Sequence, residues 1–409
     1  MFCQLCLYNR VDFIVKKNIN IFFNDFYTES DYNDYKMTAT IRPVINKQIF
    51  SWAITRVGIS EGEAVEHYPH FMEWQNGEKF ATVNQLKDFS HRYHFPFGYF
   101  FLNTIPSTPK TEIPFFRSSD DYNALENENV NETVKILRER QEWLSEYLVD
   151  NGIEKNEALG LCKNENDIQK IINQIMDFFE LESDWNLKRK NSDEALKYIT
   201  NKLEEKNIVV TFNSVVNNNT SRTIPVKLCR GFCLIDEYVP FIFINSSDSK
   251  NAQLFSLIHE VAHVFISYTS GFGEHGTKSI VDAKESLCDK VAANLLVPSE
   301  LLLQNKNKTN TELATLFKVS EVVILRRKLD CGLITQKEFF EKYNSLPQYK
   351  KTGSGGGDFY RTAELRISQK LLRCLTNAMY SRNITPLEAY RLAGVRGDVF
   401  TKLTAGEFR

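Results

Sequence analysis

The chain has 409 residues, 42% of them hydrophobic, and a formal charge of −2. That length carries two or three domains with cores of their own, and a charge so close to zero excludes an overall field that would draw the protein to nucleic acid or to an anionic bilayer. No apolar run reaches spanning length, and the first residues lack the basic start and apolar centre of a secretory signal, so a cytoplasmic protein with no membrane partner is expected. The eight cysteines, at 3, 6, 162, 229, 233, 288, 331 and 374, form no compact framework and read as reduced thiols.

Residues 1–40 are rich in Asn, Tyr and Phe with little periodicity, and read as a poorly ordered extension within which Met37 is a candidate start. Cys3 and Cys6 have zinc-ligand spacing, but no second pair lies near them. Residues 41–105 read as a string of short helices. Ile49, Phe50, Ala53 and Val57 form one apolar stripe that Gly58 ends, while Ser60 with Glu63 and Thr82 with Gln85 have the spacing of capping boxes. The second box leads into Leu86, Phe89, Tyr93 and Phe97. With Trp52, Phe71, Trp74, Gly77, Pro96 and the run from Gly98 to Phe101, this arrangement resembles a Cro/phage-repressor-type helix-turn-helix domain. Such a fold can read a major groove. Yet Arg42, Lys47, Arg56, Lys79, Lys87 and Arg92 are balanced by Glu61, Glu63, Glu66, Glu73, Glu78 and Asp88, and His67 and His70 flank the presumed recognition helix. Because phosphate contacts dominate DNA affinity, DNA binding is weakly supported, and protein docking stands beside it as an equal reading.

Pro106, Pro109 and Pro114 open a linker over residues 106–160, in which residues 130–149 read as an amphipathic connecting helix. A domain over residues 161–347 follows. Helices at 167–181 and 192–206 feed a strand at 208–212, an Asn-rich loop at 217–219 comes next, and short apolar runs at 232–235 and 241–245 read as strands.

From Asn251 the chain forms a helix apolar on nearly every face, with Leu254, Phe255, Leu257, Ile258, Val261, Ala262, Val264 and Phe265. Ser247, Asp248 or Ser249 can cap it. Within it stands His259-Glu260-Val261-Ala262-His263, an HExxH sequence. Residues four apart share a helix face, so His259 and His263 can grip one metal ion while Glu260 serves as general base toward a water molecule. A catalytic zinc site needs a third protein ligand, and Glu285 is the obvious candidate, with Asp289 one turn on to hold a ligand imidazole from behind. A third histidine six residues after His263 is excluded, since Thr269 is there and Ile266 replaces the required glycine. One zinc ion per chain is therefore expected. His275, Tyr268, Tyr343 and Tyr360 are unranked candidates for contact with substrate or with the oxyanion.

Arg230-Gly231-Phe232, the run from Phe241 to Asn245, the HExxH helix, and Glu285 to Asp289 running into Val291-Ala292-Ala293-Asn294-Leu295-Leu296-Val297-Pro298 together resemble the ImmA/IrrE family of metallopeptidases. Val291, Val297 and Leu287 depart from residues common there and remove no ligand. The resemblance implies a gluzincin-like peptidase domain in which a strand beside the active-site helix pairs with an extended peptide. It also implies a specific protein substrate, such as a transcriptional repressor or a toxin encoded nearby, in a mobile-element, stress or toxin-antitoxin setting. The rival reading is a DNA-binding or antitoxin-like regulator that uses the metallopeptidase fold as scaffold.

Beyond Pro298, Thr309 with Glu312 caps a helix carrying Leu313, Leu316 and Phe317, and Ser320 caps another bearing Arg326, Arg327 and Lys328. This pair reads as a second small helix-turn-helix-like unit or as scaffold under the metal site, the latter favoured. Residues 348–357, with Gly353, Gly355, Gly356 and Gly357, form a flexible linker. Residues 358–409, nine basic against five acidic, form a helical tail with Leu365, Leu371, Leu372, Leu375 and Met379 at helical spacing. The expected fold is α+β and mostly helical: an N-terminal helix-turn-helix bundle, a gluzincin-like metallopeptidase domain with a small sheet, and a helical C-terminal tail.

Overall fold

A computed structural model describes residues 41–93, 95–106, 124–266, 278–346 and 359–405. The N-terminal extension with Cys3, Cys6 and Met37, the prolines at 109 and 114, Tyr268, His275 and the Gly-rich linker lie outside the described residues. The fold is mostly helical α+β, and its described residues divide into two compact units, 41–106 with 124–128, and 129–405.

The first unit holds α1 (Lys47–Val57), α2 (Glu61–His67), α3 (Phe71–Asn76), α4 (Val83–Tyr93) and a 3-10 turn at Phe97–Phe101. Gly58 leaves α1 in the left-handed region at φ 70°, where a side chain would be strained. The Ser60 hydroxyl accepts from the Glu63 amide, and Thr82 and Gln85 cap each other reciprocally. Ile49, Phe50, Ala53 and Val57 are buried together with Phe71, Trp74, Leu86, Phe89, Tyr93 and Phe100, an aromatic core in which Phe50 meets Phe71 edge-on at 5.9 Å.

The second unit is organised by three strands. β1 (Val209–Asn213) runs parallel to β5 (Phe241–Asn245), and β4 (Gly231–Leu234) runs antiparallel to β5 on its other side. Between them β2 (Val215–Val216) and β3 (Asn219–Thr223) form a hairpin where the sequence suggests only a loop. Asn217 makes the turn at φ 53°, a conformation Asn tolerates, and the Asn213 amide donates to its carbonyl at 2.8 Å.

The sheet is buried on both faces, which is why its strands are nearly unbroken apolar runs. Val210, Phe212, Cys233, Ile242 and Ile244 face α6 (Ile168–Phe179), α7 (Ser192–Glu205), α8 (Lys250–Ile266) and α9 (Lys278–Leu296). Val209, Phe232, Leu234, Phe241 and Phe243 belong to a second cluster on the other face, shared with α5 (Ala124–Asp150) and the C-terminal helices α14 (Phe359–Ile367), α15 (Gln369–Tyr380), α16 (Pro386–Ala393) and α17 (Gly397–Ala405). Between α9 and α14 come α10 (Ser299–Gln304), α11 (Asn310–Phe317), α12 (Glu321–Asp330) and α13 (Gln336–Ser345).

Two segment readings need correction. The helix placed in a linker and the C-terminal helices read as a separate tail are both parts of one core. Val130, Leu137, Leu144 and Leu148 of α5 are buried at near-heptad spacing, and Leu371, Leu372 and Leu375 of α15 lie in the same cluster. The polar residues between them are also used internally. Gln141 donates to the carbonyls of Leu234 at 2.8 Å and Val239 at 3.1 Å, pinning the end of β4. Arg140, 5% exposed, donates to the carbonyls of Leu392, Ala393 and Arg366, closing the C-terminus of α16. Burial pulls its pKa down to about 10, so it remains charged at neutral pH. Gly394, at φ 70°, has no room for a Cβ between Asn217 and Arg140.

Arg140→Leu is expected to cost about 3 kcal/mol of stability, because two buried carbonyls and one part-buried carbonyl lose charged donors. Arg391→Leu, which removes only the surface pair to Glu139 at 3.5 Å, should cost less than about 0.5 kcal/mol. Denaturant midpoints of the two variants check this, and equal midpoints would refute the assigned role of Arg140.

Candidate metal centre

α8 begins where the Ser249 hydroxyl accepts from the Ala252 amide at 3.3 Å, and Leu254, Leu257, Ile258, Val261, Ala262, Val264 and Phe265 all pack into the cluster beneath the sheet. The polar residues His259, Glu260 and His263 are thus carried into the interior by an otherwise apolar helix. α9 crosses beside it, with Cys288, Val291, Ala292, Leu295 and Leu296 buried against α8 and with Glu285 turned toward the histidines. Arg327 secures this end of the unit: it is 2% exposed and donates to the Val297 carbonyl and to Ser299. Arg326 pairs with Asp330, and Lys328 donates to Asn310. Arg327 and Lys328 thus bond within the unit, while Arg326 forms an exposed surface pair.

Three donor groups converge. His259 Nε2 lies 3.0 Å from His263 Nε2 and 3.2 Å from Glu285 Oε2, and His263 Nε2 lies 3.3 Å from Glu285 Oε1. Two imidazole nitrogens this close can share at most one proton, so a bare convergence leaves lone pairs facing one another. Glu285 Oε1 is buried and receives no well-aligned hydrogen bond despite its neighbour. A cation seated among these atoms would satisfy all of them, and this trio is the group among the described residues able to hold a metal ion. Behind the site, Asp289 Oδ1 lies 2.9 Å from His259 Nδ1.

The charge balance points the same way. Burial disfavours a charged His259 ring, yet hydrogen bonds to Asp289 and Glu285 push its pKa up to about 10. Burial would raise Glu285, but the neighbouring His259 and His263 rings hold it down to about 2. The carboxylates therefore demand positive charge at this point, supplied by a proton or by a metal ion. Glu260 differs. It is 6% exposed, burial raises its pKa, and its Oε2 has no hydrogen-bond partner.

Sequence reasoning missed three neighbours of the site. Gly231, on β4, leaves the space into which the Glu260 carboxylate fits: a Cβ there would sit 3.2 Å from Glu260 Oε1 and 3.0 Å from the Phe243 carbonyl oxygen. Cys288 Sγ lies 3.6 Å from His263 Nδ1, and Cys229 is buried near Glu260, its thiol pKa raised by burial and by that carboxylate. Single cysteines scattered along the sequence carry no signal for this. The described cysteines are free thiols. Of the tyrosines considered, Tyr360 packs against the cluster on the other face of the sheet, where Lys402 donates to its hydroxyl, and Tyr343 stacks on Phe339 along the exposed α13. Neither is placed as an oxyanion donor.

Residues 203–328 match the family model of the IrrE N-terminal-like domain, Peptidase_M78. The match runs from the end of α7 through the sheet and both metal-site helices to α12, and it supports a metallopeptidase-like function for this part of the chain. No curated protein and no solved structure matches the chain. Among the described residues no helix is long and apolar enough to cross a membrane.

Purified protein is expected to carry about one equivalent of metal per chain, lost in His263→Ala. Asp289→Ala should weaken binding only about tenfold to a hundredfold, since its carboxylate acts through His259. Elemental analysis and chelator competition measure both, and equal metal in His263→Ala and wild type would reject the ligand set.

Proposed function

We propose that the protein is a zinc-dependent endopeptidase that cleaves a specific regulatory protein, with His259, His263 and Glu285 as zinc ligands and Glu260 as general base and acid. The carrying observation is the convergence of three ligand atoms beside a buried carboxylate that lacks a partner. Zinc fits the spacing: ligands about 2.05 Å from a tetrahedral centre stand about 3.3 Å from one another, close to the 3.0, 3.2 and 3.3 Å found. When bound, such an ion would polarise a peptide carbonyl and lower the pKa of water to about 7.

Glu260 supplies what the ligands cannot. Its unpartnered oxygen accepts the proton of the attacking water, and its raised pKa lets it hand that proton to the leaving amine. β4 supports substrate alignment. It is an edge strand, and the hydrogen bond from the Asn245 amide to the Arg230 carbonyl sets the alternation that turns the backbone polar groups of Gly231 and Cys233 away from β5. An extended peptide can pair with that edge beside Glu260. The family likeness favours a transcriptional repressor or a toxin as substrate. In the N-terminal unit Lys79 is held by Glu73 at 2.6 Å and Arg92 lies 3.8 Å from Asp88, which favours protein docking over phosphate contact as its role.

Glu260→Gln keeps the side chain's size but cannot take a proton. It should retain zinc and fold normally while losing cleavage by about a hundredfold or more, and it should hold substrate for isolation from cells. In-cell function that survives this change untouched would leave a regulator built on a peptidase scaffold.

Gly231→Ala should displace the Glu260 carboxylate by a few tenths of an ångström. Turnover is expected to fall about tenfold with metal content unchanged. Unchanged turnover would show that the cleft beside β4 does not set the base's position.

A further inference from the structure

We infer that the Cys288 thiol is the positioning partner of His263: it accepts the hydrogen bond from the Nδ1–H of that ring and so fixes the tautomer in which Nε2 is free to bind metal. The inference rests on the metal site proposed above and concerns a residue with no part in its ligand set. The geometry is direct. His263 is fully buried, and its Nε2 faces His259 Nε2 at 3.0 Å and Glu285 Oε1 at 3.3 Å, so Nε2 is the nitrogen aimed at the ion. A neutral imidazole that offers Nε2 as a lone pair carries its proton on Nδ1. Cys288 Sγ lies 3.6 Å from that nitrogen, within the reach of a hydrogen bond to sulfur.

The spacing on α9 explains why one helix serves both rings. Glu285 turns its carboxylate to the Nε2 atoms, Cys288 lies three residues on against His263, and Asp289 four residues on against His259. The two partners differ in kind. Asp289 is a carboxylate whose side chain is 63% exposed, at the solvent side of the site. Cys288 is fully buried, and its acceptor is a thiol sulfur rather than a carboxylate. A second carboxylate at that depth would add an anion beside Glu285 and Glu260, so a polarisable neutral acceptor suits the position. His263 is thereby the less electron-rich of the two imidazole ligands.

The test uses the full chain, with zinc as the probe in competition with a chelator, and the variants Cys288→Ala and Cys288→Ser. The alanine variant is expected to raise the zinc Kd about tenfold to a hundredfold, and the serine variant, which restores an oxygen acceptor, to recover part of the loss. Melting temperatures of the metal-free variants separate loss of packing from loss of the bond, and Ser is close enough in size to keep the comparison if Ala unfolds. The nitrogen-bound proton resonance of His263 Nδ1 should be present in zinc-loaded wild type and shift in Cys288→Ser. Wild-type affinity in Cys288→Ala, or a resonance unmoved in Cys288→Ser, would overturn the inference while leaving the ligand set standing. A wild-type chain that binds no zinc would overturn both.

Discussion

A charge can leave water only where an opposite charge or a full set of hydrogen bonds replaces its hydration, and the pair of helices α8 and α9 is arranged around that requirement. α8 is apolar over most of its length around His259, Glu260 and His263, so these residues enter the interior with little solvent to support them. α9 answers with Glu285 for the facing nitrogens, Asp289 for the outer nitrogen of His259 and Cys288 for that of His263. The carboxyl oxygen of Glu260 is left over. Its place beside three groups able to hold a metal ion suits the general-base role proposed for it.

β4 connects this site to the remainder of the unit. It is four residues long, yet Cys233 lies in the cluster with α8 while Phe232 and Leu234 lie in the cluster with α5 and the C-terminal helices. Phe232 stacks on Phe243 at 4.8 Å on that second face, and Gln141 of α5 bonds the Leu234 carbonyl. A strand held from behind in this way has little freedom to shift. Its first residue, Gly231, is the one whose missing side chain admits the Glu260 carboxylate. The helices outside the family match thus bear on the site through the strand they cover.

The parts legible in the sequence were those where a local pattern has a single physical meaning. HExxH on an apolar helix, Thr309 with Glu312, Thr82 with Gln85, and the apolar runs of β4 and β5 all stand where pattern alone placed them, because capping and burial act within a few residues. The misreadings involve distant partners. Arg140 and Gln141 look like the wet side of a connecting helix until their acceptors, carbonyls of residues about 90 to 250 positions away, are known. The helical spacing of Leu371 and Leu375 was legible in the C-terminal segment, but not the cluster behind the sheet in which they are fully buried. Cys288 carried no pattern at all, since a thiol's role here depends on which ring nitrogen it meets.

Burying Glu260 with its Oε2 unpaired costs about 1 to 3 kcal/mol, and that must be offset by contacts that do not touch the site. The second face of the sheet supplies them. Phe232, Phe241 and Phe243 are each buried there, and a fully buried side chain of this size contributes about 1.5 to 3 kcal/mol. Those contacts depend on α5 and on the docking of α14 to α17, which Arg140 secures through the carbonyls of Leu392 and Ala393 and Glu204 through Ser368. Loosening the rear helices should therefore reach the front of the sheet as lost precision in Gly231 and Glu260 before the unit unfolds. Displacements of about 1 Å can cost a hundredfold in rate, so on the proposed function turnover is the more sensitive reporter of that rear packing.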